Sequence, residues 1–309
     1  MLSKKPYEIP LYLLQKCAGQ PAVRTAVAGA DHPVAMASAQ QAANHGLIVP
    51  VFVGDEAIIR SIAETMNWDI SSYQIVHAPG EDKTPAAAVA LARGHEVAAL
   101  MKGQVHTDAL MGAVVNRDTG LRTGRRLSHI FHMTIPGSDR VLMITDGAVN
   151  VLPNVDTKIH ITQNAVDLAH ALGNINPKVA MLSGTESVIE AMPSSVEADE
   201  AVKRANNGEI TGAVVDGPFA FDNAVSPEAA KLKGVDSPVA GQADILVVPN
   251  IETGNGLFKM MAHFMSATAT GIVMGAQVPI MLTSRADPPE ARVASAALAA
   301  LVANQPSKN

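Results

Sequence analysis

Val97-Ala98-Ala99-Leu100-Met101-Lys102-Gly103 is apolar for five residues, stops on a cation and a glycine, and gives way at Thr107 to helical spacing. A run that is apolar throughout, instead of alternating, is the pattern of a strand covered by helices on both faces. The same unit recurs along the chain. Strands are predicted at 22–28, 47–53, 73–77, 97–101, 130–135, 141–145, 179–182, 212–215, 245–248 and 278–283. Between them, helices are predicted at 31–44, 55–67, 85–96, 107–116, 162–172, 196–207, 256–270 and 288–303. Strands alternating with helices predict an α/β protein with mainly parallel sheets. Ten strands are many for one sheet, so two sheets in two domains are expected, with the Gly- and Arg-rich stretch Asp118–Arg126 as a boundary.

Composition narrows the function. The 309 residues carry a net charge of −6 and no basic run long enough to follow a phosphate backbone, which argues against a nucleic-acid partner. The single cysteine, Cys17, cannot pair within the chain and sits on an apolar helix face, as fits a reducing compartment. Leu11–Leu14 is too short for a signal-peptide core, and 271–282 falls short of the ~20 residues a spanning helix needs. A cytoplasmic protein is expected, with no membrane partner.

In an open parallel sheet, ligands collect beyond the carboxyl ends of the strands. Four such ends carry polar residues. At Lys102-Gly103 a cation and backbone N–H groups could converge on an anion-sized gap, or the segment is an ordinary strand-to-helix turn. After the strand at 245–248, Gly254-Asn255-Gly256 reads as a loop opening onto a helix that bears Lys259, again with amide donors for phosphate; a plain helix start explains it equally well. It is neither a Walker loop nor a three-glycine dinucleotide turn. Asp216-Gly217-Pro218 with Asp222 places two acids after a strand, where turn chemistry is the commoner reading. Last, Thr283-Ser284-Arg285 puts a hydroxyl and a guanidinium where phosphate or a developing oxyanion could be held. The following Asp287-Pro288-Pro289-Glu290 suits N-cap, N1 and N3 of the last helix, so capping and catalysis compete for Asp287 and Glu290. The ten histidines form no metal motif, and the nearest approach to a serine-hydrolase elbow, Gly184-Thr185-Glu186-Ser187-Val188, fails.

In this order the pieces resemble the phosphate acetyltransferase and phosphate butyryltransferase family. The likeness runs through Phe52-Val53-Gly54-Asp55, Leu100-Met101-Lys102-Gly103, Ser128-His129, Thr145-Asp146-Gly147, Asp216-Gly217-Pro218 with Asp222, Lys233-Gly234, Ala240–Asp244, Gly254-Asn255 with Lys259, and Thr283-Ser284-Arg285. Details at Lys102-Gly103 and 283–287 look more like the butyryl branch. The resemblance implies two α/β/α domains with the active-site cleft between them, as in isocitrate and isopropylmalate dehydrogenases. It makes the first domain discontinuous, 1–127 with 283–309, and the second 128–282, and it implies a homodimer. It implies acyl-CoA and inorganic phosphate as substrates meeting in a ternary complex, with coenzyme A a substrate and no tightly bound cofactor or metal. Ser284 matches the family's carbonyl-binding Ser and Arg285 its phosphate-binding Arg. Lys102, Gly103, Thr107, Ser128, Asp222, Gly254, Asn255 and Lys259 become candidates for phosphate or CoA contacts. The family's catalytic Asp corresponds to Ala291, which leaves the base unassigned between Asp287 and Glu290. Two other readings compete: a metal-dependent hydroxy-acid dehydrogenase of the same fold, for which no carboxylate cluster or adenine motif is found, and a non-catalytic CoA- or metabolite-binding protein.

Overall fold

A computed structural model describes residues 2–282 and 287–305. The chain forms two compact units, one of residues 8–125 and 270–309, the other of residues 1–7 and 126–269.

The first unit opens with α1 (Leu11–Cys17) and then alternates: β1 (Val23–Ala28), α2 (Pro33–Asn44), β2 (Ile48–Gly54), α3 (Glu56–Thr65), β3 (Ile75–His77), α4 (Lys83–Arg93), β4 (Ala99–Lys102) and α5 (Thr107–Val115). In the second unit come β5 (Ser128–Thr134), β6 (Val141–Thr145), α6 (Val155–Ala171), β7 (Lys178–Leu182), α7 (Pro193–Arg204), β8 (Val214–Phe219), α8 (Phe221–Val225), α9 (Pro227–Leu232), β9 (Ile245–Val247) and α10 (Ile251–Met265). The chain returns to the first unit within β10 (Thr268–Met274), followed by β11 (Ile280–Met281) and α11 (Pro289–Ala303).

Strands of the first unit lie in the order β3-β2-β1-β4-β11-β10, parallel except that β10 runs antiparallel to β11. The second unit has β5-β6-β9-β7-β8, parallel except for the antiparallel pair β5–β6. The apolar runs explain the core. β1 and β2 are buried along nearly their whole length, and Ile144, Leu246 and Ala180 are fully buried on three neighbouring strands of the second unit. Alanine-rich α11 is buried continuously from Val293 to Leu301 and packs against α1 and α2; small side chains let three helices approach closely.

Each of the ten predicted strands is present, with ends shifted by a few residues. β10 was not predicted: the helical pattern was carried to residue 270, whereas Ser266, in the left-handed region at φ 50°, ends α10 and lets the chain turn into a strand.

Candidate active site

The carboxyl end of β4 is where the first unit gathers its candidates. Lys102 is the last residue of the strand and is half-buried, with Nζ 3.4 Å from the Gly103 carbonyl. The amides expected to be free are taken: Gly103 N–H donates to Ala28 O at 2.8 Å and Gln104 N–H to Gly29 O at 2.9 Å. A Cβ on Gly103 would press against the Gly29 carbonyl and lie 2.9 Å from Ala35 Cβ, so glycine is required for β1 and β4 to end side by side. The next N–H, that of His106, meets a carboxylate: Glu81 Oε1 accepts it at 2.6 Å and lies 2.9 Å from His106 Nδ1. The His106 N–H above all, with the His106 ring and the Lys102 charge behind it, holds Glu81 below the usual carboxylate range. The gap is therefore no bare anion hole; it already holds a carboxylate. Thr107 is the exposed first residue of α5.

β11 pairs in parallel with β4, Met281 beside Met101, so the chain leaves β11 at this same edge. Ser284 and Arg285 lie outside the described residues. Asp287 and Glu290 follow, both half-buried. α11 starts one residue later than its sequence suggested: Pro288 is the N-cap, Pro289 is N1 and Glu290 is N2, with no side-chain cap. Proline fits at N1 because its missing N–H would be unpaired there in any case, and that moves Asp287 outside the cap position. Ala291, where the family's Asp is expected, is 1% exposed.

In the second unit, the antiparallel pairing of β5 and β6 brings the start of β5 beside the end of β6. Ser128 is fully buried there, and its Oγ accepts from Asn164 Nδ2 at 2.9 Å; the same amide reaches Arg126 O. Asp146, 1% exposed, follows β6 and accepts five hydrogen bonds, from the N–H groups of His129, Ala148, Val149 and Asn150 and from Asn150 Nδ2. The turn that Asp146 holds touches α10: Asn255 Nδ2 donates to Gly147 O at 3.3 Å.

Gly254 and Asn255 are not in a loop. α10 begins at Ile251, five residues before the predicted start, capped by Asn250, whose Oδ1 accepts from Thr253 N–H and Oγ1. The Gly254 N–H donates to Asn250 O within the helix, so it is not available to a phosphate. Two glycines looked like a breaker, but Gly254 is there for contact: a Cβ would lie 2.8 Å from both Asp146 O and Gly147 Cα. Lys259, one turn beyond Asn255, is exposed, with its ammonium 5.9 Å from the Phe258 ring, which stacks on Phe131. Asp222 is elsewhere on the sheet. It follows β8, separated from β9 by β7, and faces Lys233 at 3.4 Å; Glu186 stands 3.7 Å from the same ammonium.

Two groups had no role assigned from sequence. Asp146 carried the signal used for the four strand ends, a polar residue closing an apolar run. Glu81 and His106 carried none, being 25 positions apart. Among the described residues no three His, Cys, Asp or Glu side chains group as metal ligands, and no helix is long and apolar enough to cross a membrane.

Residues 81–300 match the family model described as phosphate acetyl/butaryl transferase. The chain is 48% identical over 283 residues to the phosphate acetyltransferase of Rhizobium meliloti, covering 92% of this chain and 89% of the relative. It is 40% identical over 291 residues to the phosphate butyryltransferase of Clostridium beijerinckii, covering 94% and 96%. The crystal structure of a branched-chain phosphotransacylase from Enterococcus faecalis superposes with a TM-score of 0.79 at 30% identity, covering 91% of this chain and 99% of that one. Identity is higher to the acetyl relative than to the butyryl one, whereas the details at Lys102-Gly103 and 283–287 pointed to butyryl. The chain belongs to the phosphate acetyl/butyryl transferase family, and it is an acyltransferase.

Proposed function

We propose that this protein moves a short acyl group reversibly between the thiol of coenzyme A and inorganic phosphate. The observation that carries the reading is likeness along almost the whole chain, at 48% and 40% identity, to enzymes named for transfer to phosphate. In one direction a phosphate oxygen attacks the thioester carbon and the carbon–sulfur bond breaks; in the other the thiolate attacks the acyl phosphate and phosphate leaves. Both directions need the phosphate neutralised, the carbonyl polarised and one thiol proton managed. Arg285 is assigned to the phosphate and Ser284 to the carbonyl, on the strength of the family match at 283–285. Lys102 and Thr107, at the end of β4 and the start of α5, and Asn255 and Lys259, on α10, are assigned to contacts with phosphate or coenzyme A on the same ground. Ser128, buried and bonded to Asn164 on α6, is kept as a candidate for the same contacts. The working form is proposed to be a cytoplasmic homodimer, which sedimentation of the purified chain would test.

Release of free thiol from a panel of acyl-CoAs, from acetyl to branched valeryl, is the direct assay. Release is expected to require phosphate and to need no added divalent metal. Thiol release independent of phosphate would make the protein a thioesterase, and reduction of NAD or NADP with a hydroxy acid would support the dehydrogenase reading.

A further inference from the structure

The position matched to the family's catalytic Asp is Ala291, buried in the first unit and unable to take a proton. Another proton acceptor stands at the carboxyl edge of β4. His106 closes the turn between β4 and α5, four residues beyond Lys102, and its side chain is 76% exposed. One nitrogen is engaged: Nδ1 lies 2.9 Å from Glu81 Oε1, the same oxygen that accepts the His106 backbone N–H at 2.6 Å. Nε2 has no hydrogen-bond partner among the described residues. A carboxylate bonded at Nδ1 selects the tautomer whose proton sits there, which leaves a lone pair on Nε2. Two contacts to one oxygen also fix how the ring is presented. This is the geometry by which a carboxylate orients an imidazole base.

We propose that His106 is the general base for the thiol of coenzyme A and that Glu81 is the residue that positions it. The proposal rests on the acyl-transfer reading above. When acyl-CoA is formed, Nε2 takes the S–H proton as the sulfur bonds to the carbonyl carbon of the acyl phosphate. The carbon–oxygen bond to phosphate then breaks, phosphate departs with that electron pair, and the imidazolium gives its proton to solvent. In the opposite direction the imidazolium protonates the departing thiolate. Glu81, from the turn before α4, faces the ring, and Lys102 at the end of β4 lies near enough to act on Glu81; in sequence Asp82 and Lys83 follow Glu81, and Asp108 is two residues after His106.

The test compares wild type with His106→Asn and Glu81→Gln in acyl-CoA formation from acyl phosphate between pH 5.5 and 9. Asparagine keeps both the backbone N–H bonded to Glu81 and a good N-cap residue, so the melting temperature should hold. His106→Asn is expected to lose ~10²–10⁴-fold in kcat, with partial recovery on adding imidazole. Wild type is expected to lose activity towards the acid end of this range, and that acid limb should disappear in His106→Asn. Glu81→Gln should show a smaller loss in the same direction. Activity of His106→Asn within about threefold of wild type overturns the proposal. So does a slow variant that keeps the wild-type acid limb, since that would place the base elsewhere, Asp287 first. If wild type shows no acyl transfer linked to phosphate, the acyl-transfer reading itself fails and takes this proposal with it.

Discussion

Five donors converge on the carboxylate of Asp146, and at 1% exposure no bulk water can replace it. Asp146→Ala would leave those donors unpaired in the interior, at 1–3 kcal/mol each where water cannot enter. We expect a loss of about 3 kcal/mol or more in urea unfolding. Asp146→Asn should also destabilise, because one oxygen becomes a donor aimed at other donors. A loss below about 1 kcal/mol in both variants would mean that the turn finds other partners. At this scale the sequence showed where an apolar run ends in a polar residue, as at Lys102, the last residue of β4; Asp146 carried the same signal after β6 and was given no role. The sequence was not legible where the partner arrives from far along the chain. Glu81 was invisible as a companion of His106 because only the fold closes the distance between them, and Asn164, which bonds to Ser128 from 36 positions away, was out of reach for the same reason.

Helix starts were the weakest part of the reading, and α10 shows why. Gly254 and Gly256 are poor helix formers, so local propensity argued for a start no earlier than Gly256; contact decided otherwise. The backbone of α10 must pass close to the Asp146-Gly147 turn, and only a residue without Cβ allows it. Gly254→Ala is therefore expected to destabilise the protein by ~1–3 kcal/mol, although alanine is the better helix former. The check is a thermal melt set beside Gly256→Ala, where a Cβ would meet nothing within 4 Å and a neutral or stabilising change is expected. Equal effects of the two would remove the close approach as the cause. Strands fared better, since ten apolar runs were enough to predict ten strands and a largely parallel arrangement. β10 escaped because Thr268-Ala269-Thr270-Gly271 is small and polar enough to pass for the end of a helix.

For the molecule as a whole, acid is the expected weakness. His132 is fully buried on β5, and that burial pushes its imidazole from 6.5 to about 4, against a smaller opposing effect of its own backbone. Above pH 6.5 the group is neutral folded or unfolded and contributes nothing to pH dependence. Below it the unfolded chain gains a proton that the folded chain refuses, so stability falls as pH drops from about 6.5 towards 4. The total is about 3 kcal/mol for this one group. Urea midpoints at pH 7.5, 6 and 5 should decline more steeply in wild type than in His132→Gln. Parallel declines would show that the imidazole is already charged in the folded state or shielded in the unfolded one.

The return of the chain to its first unit at residue 270 sets an order of events during synthesis. Residues 126–269, with the strands β5 to β9, leave the ribosome as one stretch and can close around Ile144 and Leu246 while translation continues. The first unit has to wait. Until β11 emerges, β4 has an unpaired edge carrying Ala99, Leu100 and Met101; until α11 emerges, the apolar faces of α1 and α2 lack their cover. A nascent chain stalled between residues 126 and 280 thus presents an apolar strand edge, the kind that pairs with a neighbour on the same polysome. The half of the protein made first is the half completed last.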